Sequence, residues 1–132
     1  MIITPSSSGY EETVSSLLTA IERRGLTVFA RIDHAAGARE VGLELPDEEV
    51  VLFGSPRSGT PLMQGDPRIG IELPLRMLVW QDGSRVMLGH HDPRGLSGAY
   101  DTSAQQATLD QMAKLLGELA TEASRVPGGG AP

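Results

Sequence analysis

Hydrophobic and polar positions along the chain recur with two different periods, one typical of helices and one typical of strands. Near the N-terminus, a single helical face carries Tyr10, Val14, Leu17, Leu18 and Ile21. Gly25 is a good residue to end this helix, and Ser8 with Glu11 has the spacing of a capping box at its start. A second helix is predicted from about Thr102 to about Arg125. Its buried face would consist of Leu109, Met112, Leu116, Leu119 and Ala123.

Between these helices the periodicity favours strands. The predicted strands are Met1–Ser7, Leu26–Asp33, Val50–Phe53, Leu75–Gln81 and Ser84–His90. In the second strand Val28, Ala30 and Ile32 should share one face, and Phe29, Arg31 and Asp33 the other. The segment 34–38 is expected to form a short helical turn or a loop.

The last two strands are predicted to form a hairpin around Asp82-Gly83, because this pair is favoured in two-residue type I′ turns. That turn would place Trp80 opposite Arg85 and Leu78 opposite Met87. Both hairpin faces are then apolar. Leu78, Trp80 and Met87 form the face that helices on the other side cannot cover. It must meet more chain, a ligand or a second subunit, so these three residues are a candidate homodimer interface.

The order of elements is β-α-β-β-β-β-α. This order predicts an α+β fold, a two-layer sandwich in which both helices cover one face of an antiparallel sheet. Residues 1–126 are expected to form a single domain, and residues 127–132, rich in glycine and proline, a disordered tail.

Composition narrows the possible partners. The formal net charge is −6, which argues against nucleic acid and against an anionic membrane surface. The chain has no cysteine, so disulfides and thiolate chemistry are excluded. No signal peptide and no membrane-spanning apolar run is evident, so we expect a soluble cytoplasmic protein without a cofactor.

A polar, glycine-containing segment directly follows the apolar run Val50–Phe53 in the sequence. The run stops at Gly54-Ser55-Pro56, and a loop through Gly59, Thr60 and Pro61 is predicted to follow. Backbone N–H groups and hydroxyls in such a loop could hold an anion, although its glycine spacing is not that of a P-loop. The alternative is a purely structural loop.

Asp33-His34 is a second candidate, because a histidine beside a carboxylate can move a proton near neutral pH. The alternative is that Asp33 caps the following turn. His90 and His91 suggest a metal site, but adjacent strand residues point to opposite faces. A metal ion would therefore need His34 or a carboxylate as well, and no metal ligand is assigned.

Four short blocks carry a family resemblance. They are Arg31-Ile32-Asp33-His34, Phe53-Gly54-Ser55-Pro56, Gly59-Thr60-Pro61-Leu62-Met63 and Leu73-Pro74-Leu75. With this spacing, residues 8–100 resemble a bacterial and archaeal family known only as domain of unknown function 302. The resemblance implies a two-layer sandwich with a topology similar to that of the TATA-box-binding protein, and it implies no activity. Ser55 stands where the family more often has asparagine, and His90 where a tyrosine is expected.

These observations support three hypotheses of function. The first is a domain that binds a small ligand, forms a homodimer or does both, without an assigned reaction. Its candidate ligand-binding residues are Arg31, Asp33, His34, Gly54, Ser55, Pro56 and Thr60. The second is a hydrolase or isomerase that uses Asp33-His34 opposite the Gly54–Thr60 loop, which requires His34 and Thr60 to line one cleft. The third, weaker hypothesis is a metal-binding module around His34, His90 or His91.

Overall fold

A computed structural model describes residues 1–125 of the chain, which form two layers. One layer is a five-stranded antiparallel sheet with the strand order β1-β5-β4-β3-β2. The strands are β1 (Ile2–Ser6), β2 (Thr27–Asp33), β3 (Glu48–Gly54), β4 (Leu75–Asp82) and β5 (Arg85–His90). The helices are α1 (Tyr10–Arg23), α2 (His34–Glu40), α3 (Pro56–Gly65) and α4 (Gln106–Ala123), with 3₁₀ helices at Pro67–Glu72 and Pro93–Gly98. The predicted tail, 127–132, lies outside the described residues.

Helices α1 and α4 pack side by side on one face of the sheet and build the main core with it. This core contains Val14, Leu17, Ala20 and Ile21 from α1, Val51, Phe53, Met77, Val79, Val86 and Leu88 from the sheet, and Leu116, Leu119, Ala120 and Ala123 from α4. The predicted fold class is therefore confirmed. The opposite side of the sheet, here called the open face, carries Ile3, Ile32, Val50, Leu52, Leu78, Trp80 and Met87 by strand register.

The predicted loop after Gly54 is wrong, because residues 56–65 form helix α3. Ser55 caps this helix, and its Oγ accepts a hydrogen bond from the backbone N–H of Arg57 at 3.2 Å. Pro56 occupies the first turn, where proline is tolerated. Gly59 and Pro61 lie in the interior of the helix and oppose it locally. Burial of Leu62, which is 1% exposed, shows that packing prevails over these local preferences.

A β-bulge in β2 changes which of its residues share a face. Val28 pairs with Phe53 and Ala30 with Leu52, so Phe29 is an extra residue. The predicted grouping of Val28 with Ala30 and Ile32 is therefore wrong. Past the bulge, Arg31 pairs with Val51 and faces the helices.

The hairpin register also differs from the prediction, because the turn is Gly83-Ser84. Trp80 pairs with Met87, and Leu78 with Gly89. Gly83 has φ +60°, and no residue other than glycine has a positive φ in the described chain. A positive φ at the first central residue alone is the pattern of a type II′ turn. Since moving the turn by one residue shifts the register by two, every side chain keeps its predicted face.

The starts of both long helices differ from the prediction. Gly9 precedes α1 without a side-chain cap, and the Ser8 hydroxyl donates instead to the carbonyl of Arg125 at 2.8 Å. Helix α4 begins at Gln106 rather than near Thr102. Its predicted apolar face is buried throughout.

Candidate functional site

The candidate ligand-binding residues lie at two opposite ends of strands β2 and β3. Asp33 pairs with Glu49 at one end, and Thr27 pairs with Gly54 at the other. Glu49 and Gly54 are five positions apart on β3, which corresponds to about 17 Å. The enzyme hypothesis placed His34 and Thr60 in one cleft, and it is wrong in that form.

The Asp33 end is held by charged and capping contacts. Arg31 donates from Nε to one Glu49 oxygen at 2.6 Å and from Nη2 to the other at 3.2 Å. The Glu49 side chain is 7% exposed, whereas that of Arg31 is 50% exposed. This contact raises the pKa of Arg31, and burial together with Glu49 raises that of Tyr10. Asp33 Oδ1 accepts from the backbone N–H of Ala36 at 2.9 Å, so its capping role is confirmed.

The three histidines are distributed over the fold. His34 begins α2 and is exposed. His90, the last residue of β5, is buried, whereas His91 directly after the strand is exposed. The His90 Nδ1 lies 3.0 Å from the carbonyl oxygen of His91, and its Nε2 has no partner among residues 1–125. In this part of the chain no three histidine, aspartate or glutamate side chains form a group that could hold a metal ion.

The Gly54 end opens into an apolar cleft with a volume of about 380 Å³. Its walls come from the start of β2, the end of β3, helix α3, the segment leading into β4 with the first residue of that strand, and α4. They consist of Leu26, Phe29, Leu52, Gly54, Ser55, Pro56, Ser58, Gly59, Thr60, Met63, Gly70, Leu73, Pro74, Leu75, Met112 and Leu115. Four predicted residues, Gly54, Ser55, Pro56 and Thr60, therefore lie together in one cleft.

The chemistry of this cleft is neutral. None of its lining residues is charged, and its polar side chains are the hydroxyls of Ser55, Ser58 and Thr60. Gly54 keeps the floor open, because a Cβ there would lie 3.7 Å from Pro74 Cβ and 3.9 Å from the Phe29 ring. The anion-binding hypothesis finds no cationic side chain in this lining.

Most of the cleft wall was not expected from the sequence. Met63, Leu73, Met112 and Leu115 reach it from elements far apart in the chain. Phe29 illustrates the reason. The sequence grouped it with Arg31 and Asp33 in a regular alternation, and only the structure shows it as the extra residue of the bulge, 53% exposed.

A second cleft of about 510 Å³ surrounds the Asp33 end. Among its lining residues are Tyr10, Arg31, Asp33, Arg39 and Glu49. Arg31 and Glu49 satisfy each other. The other charged side chains of this lining form no ion pair among residues 1–125; they are Glu11, Asp33, Arg39 and Asp47.

Comparison with protein families finds a match that covers most of the chain. The profile described as "Domain of unknown function DUF302" matches residues 2–119. A crystal structure of an uncharacterized conserved DUF302 protein from Bacillus stearothermophilus has the same fold. It gives a TM-score of 0.83 at 19% identity and covers 94% of this chain and 97% of that chain.

Among curated proteins, this chain is similar to part of larger proteins from Brucella. It is 42% identical over 98 residues to "Fluoride-specific ion channel FluC 1" of Brucella suis, which covers 74% of this chain and 39% of that protein. FluC 1 of Brucella abortus and FluC 2 of Brucella melitensis match with the same identity over 36% of their length. The chain thus spans less than two-fifths of these relatives. Within residues 1–125, no helix is both long enough and apolar enough to cross a membrane.

Proposed function

The chain belongs to the family that shares the domain of unknown function DUF302, and from this premise we propose that it binds a small, neutral, largely apolar ligand. The observation that carries the proposal is the cleft beside Gly54. Its volume of about 380 Å³ lies in the range of roughly 300–1,000 Å³ common for small-molecule sites.

The lining supports one class of ligand over the others. An anion or a cation entering a wall without charged residues would lose its hydration and gain no countercharge. A hydrocarbon or aromatic body would contact Phe29, Met63, Leu73 and Met112. The hydroxyls of Ser55, Ser58 and Thr60 could orient one polar group of the ligand.

The proposal is tested with the neutral dye N-phenyl-1-naphthylamine and competing straight-chain alcohols. We expect saturable dye binding that longer alcohols displace better, because each methylene transferred from water contributes about 0.8 kcal/mol. Gly54→Val fills the floor of the cleft and should weaken dye binding about tenfold or more. Gly98→Val is the matched control, because a Cβ at Gly98 meets open space.

A second variant separates binding from folding. Gly59→Ala adds one methyl in ordinary contact with Leu73 Cδ1 at 3.5 Å, narrowing the cleft without a clash. It should bind the dye more weakly while remaining folded. Unchanged dye binding in both folded variants would refute the proposal, as would preferential binding of fatty acid anions over the matching alcohols.

A second candidate function is cooperation with a fluoride channel. The Brucella relatives are called fluoride-specific ion channels, and this chain matches 39% of the length of one of them. Domains joined in one polypeptide commonly act at one place, so we propose that the domain binds such a channel and alters its activity. The neutral lining of the cleft gives no reason for the domain to bind fluoride itself.

The channel hypothesis is tested on FluC 1 of Brucella suis without the segment that matches this chain. Loss of that segment should change the rate of fluoride efflux from channel-containing vesicles. Adding the purified chain should restore the original rate. An unchanged rate in the shortened channel, with no binding of the chain to it, would exclude this function.

A further inference from the structure

The open face is an apolar surface that the helices leave uncovered. Strand register places Ile3, Ile32, Val50, Leu52, Leu78, Trp80 and Met87 on it. None of these residues belongs to either hydrophobic core cluster of the described chain. Ile3 is 50% exposed and Ile32 is 45% exposed. The other five side chains of the open face, nearer its centre, are half-buried.

The size of the open face approaches that of a protein interface. Five strands about 4.8 Å apart, with residues rising about 3.3 Å each, give a projected area of roughly 500 Å². Monomers rarely carry apolar patches above about 300–600 Å². A stable interface buries about 800 Å² of accessible surface per partner. The face is therefore large enough for a reversible association.

Opposite charges lie at the two ends of the open face, and at the hairpin end Asp82 and Arg85 lie opposite each other in register. Arg76 pairs with Leu52 near one end, and Glu48 pairs with Trp80 near the other. Glu48 and Leu52 are four positions apart on β3, or about 13 Å. Neither Arg76 nor Glu48 forms an ion pair among residues 1–125. A surface with unpaired opposite charges at its two ends can complement a reversed copy of itself.

We infer that the open face binds a second copy of this chain. The two sheets pack face to face about 10 Å apart, with their strands running in opposite directions. This arrangement has a two-fold axis between the sheets and perpendicular to the strands. It places Arg76 of each chain near Glu48 of the partner subunit, so the same contact forms twice.

The seven residues 126–132 are a weaker occupant. Their sequence is VPGGGAP. Apart from the two prolines, Val126 is the one residue of this segment with an aliphatic side chain larger than that of alanine. It cannot supply apolar area to match a face of five strands. A second copy supplies the same seven apolar residues again.

The test is sedimentation equilibrium of the full chain from about 1 to 500 µM. We expect a monomer–dimer equilibrium with a Kd in the micromolar range, as suits an interface below standard size. Leu78→Lys should weaken the dimer about 100-fold or more, because it buries a charge without a partner. Ile71→Lys and Val41→Lys are matched controls at apolar positions that are 79% and 71% exposed outside the open face. Neither control should alter the equilibrium.

The strand direction has its own test on the exposed ends of the face. Arg76→Glu and Glu48→Arg should each weaken the dimer about tenfold through like-charge contacts, and the double variant should recover most of the loss. Because these substitutions leave the core intact, they remain informative if Leu78→Lys does not fold. A double variant as weak as the single ones would overturn the antiparallel arrangement.

Three results would overturn the interface itself. The first is a folded chain that stays monomeric at 500 µM. The second is a dimer that Ile71→Lys disrupts and Leu78→Lys does not. The third is a chain ending at Arg125 that dimerises when the full chain does not, since residues 126–132 would then be the occupant. None of these results depends on ligand binding in the cleft beside Gly54.

Discussion

At the scale of single residues, Gly89 permits the packing of the open face. A Cβ at this position would lie 2.7 Å from Met1 Sδ and 3.0 Å from Trp80 Cζ3. The indole therefore lies over the backbone of β5. The absence of a side chain at one strand position lets the largest side chain of the face lie flat, which keeps that face level enough for another sheet.

Gly89→Ala should displace the Trp80 ring and destabilise the fold by about 1–3 kcal/mol, as overpacking typically does. Met1 can rotate away, but the stiff indole cannot. Because the chain has one tryptophan, its emission spectrum reports the change directly. Urea unfolding at low protein concentration measures the free energy. Gly54→Ala, with its nearest contacts at 3.7 and 3.9 Å, is the control and should remain close to wild type.

Also at the scale of single residues, Asp92 makes a pH-dependent contribution to the free energy of unfolding. Its carboxylate accepts from the backbone N–H of Arg94 at 3.0 Å and from Arg94 Nη2 at 2.7 Å. The Arg94 side chain, followed by that N–H group, lowers the pKa of Asp92 to about 2. The unfolded value is about 3.9. Because the folded pKa is the lower one, this stabilisation is complete above about pH 4 and disappears as the pH falls through 2.

We therefore expect Asp92→Asn to lower Tm by about 1–3 °C at pH 6, a modest effect for a partly exposed ion pair. The difference from wild type should shrink below about pH 4 and close as the pH falls through 2, where Asp92 becomes protonated in the folded state as well. Thermal unfolding followed by circular dichroism across this range measures it. A difference that stayed constant with pH would assign the effect to hydrogen-bond geometry rather than to charge.

At the scale of elements, α3 is a helix held against the preferences of its own interior. Ser55 and Pro56 provide a good start, while Gly59 and Pro61 weaken the helical turns after it. Leu62 anchors the helix in a small cluster with Ile69, Leu109 and Met112. We therefore expect this wall of the cleft to have low local stability, as is common for binding sites.

Gly59→Ala should stabilise the protein by up to about 1 kcal/mol, because glycine costs about that much in a helix interior. Gly117→Ala in α4 should give a similar gain, since a Cβ there meets open space. Chemical denaturation of both variants measures the gains. If the cleft binds the neutral dye, only Gly59→Ala should weaken that binding. Destabilisation by Gly59→Ala would mean that Leu73, whose Cδ1 is 3.5 Å from the added methyl, cannot yield.

At the scale of the whole molecule, helix α4 joins the two core clusters. Leu116 and Leu119 belong to the main core over the sheet, while Leu109 and Met112 belong to the smaller cluster beside α3. Arg24 adds a connection between the helices, with Nη2 2.6 Å from a Glu122 oxygen. Neither cluster can lose its packing without disturbing the helix that both share.

We therefore expect the chain to unfold as one cooperative domain, as the sequence predicts for residues 1–126. Trp80 fluorescence reports the sheet, and far-ultraviolet circular dichroism reports the helices. Their urea transitions should coincide at a low fixed protein concentration, with a slope of about 1–3 kcal/mol/M. Two separated transitions would show that the α3 cluster unfolds independently.

The sequence by itself determined the strands, the two long helices and the side to which most residues point. These follow from periodicity, which is a local property. The hairpin residues kept their predicted faces even though the turn lies one residue away from its predicted position. It also indicated four residues of the cleft, Gly54, Ser55, Pro56 and Thr60, because the end of an apolar strand is a local signal.

Only the tertiary structure decided what those residues meet. It formed α3 against its local propensity, turned Arg31 towards the helices through a bulge, and placed Asp33 about 17 Å from Gly54 along the strand. It also brought Met112 and Leu115 to the cleft from a distant helix. The physical reason is that packing energy is shared among residues far apart in the chain. No single segment contains that information.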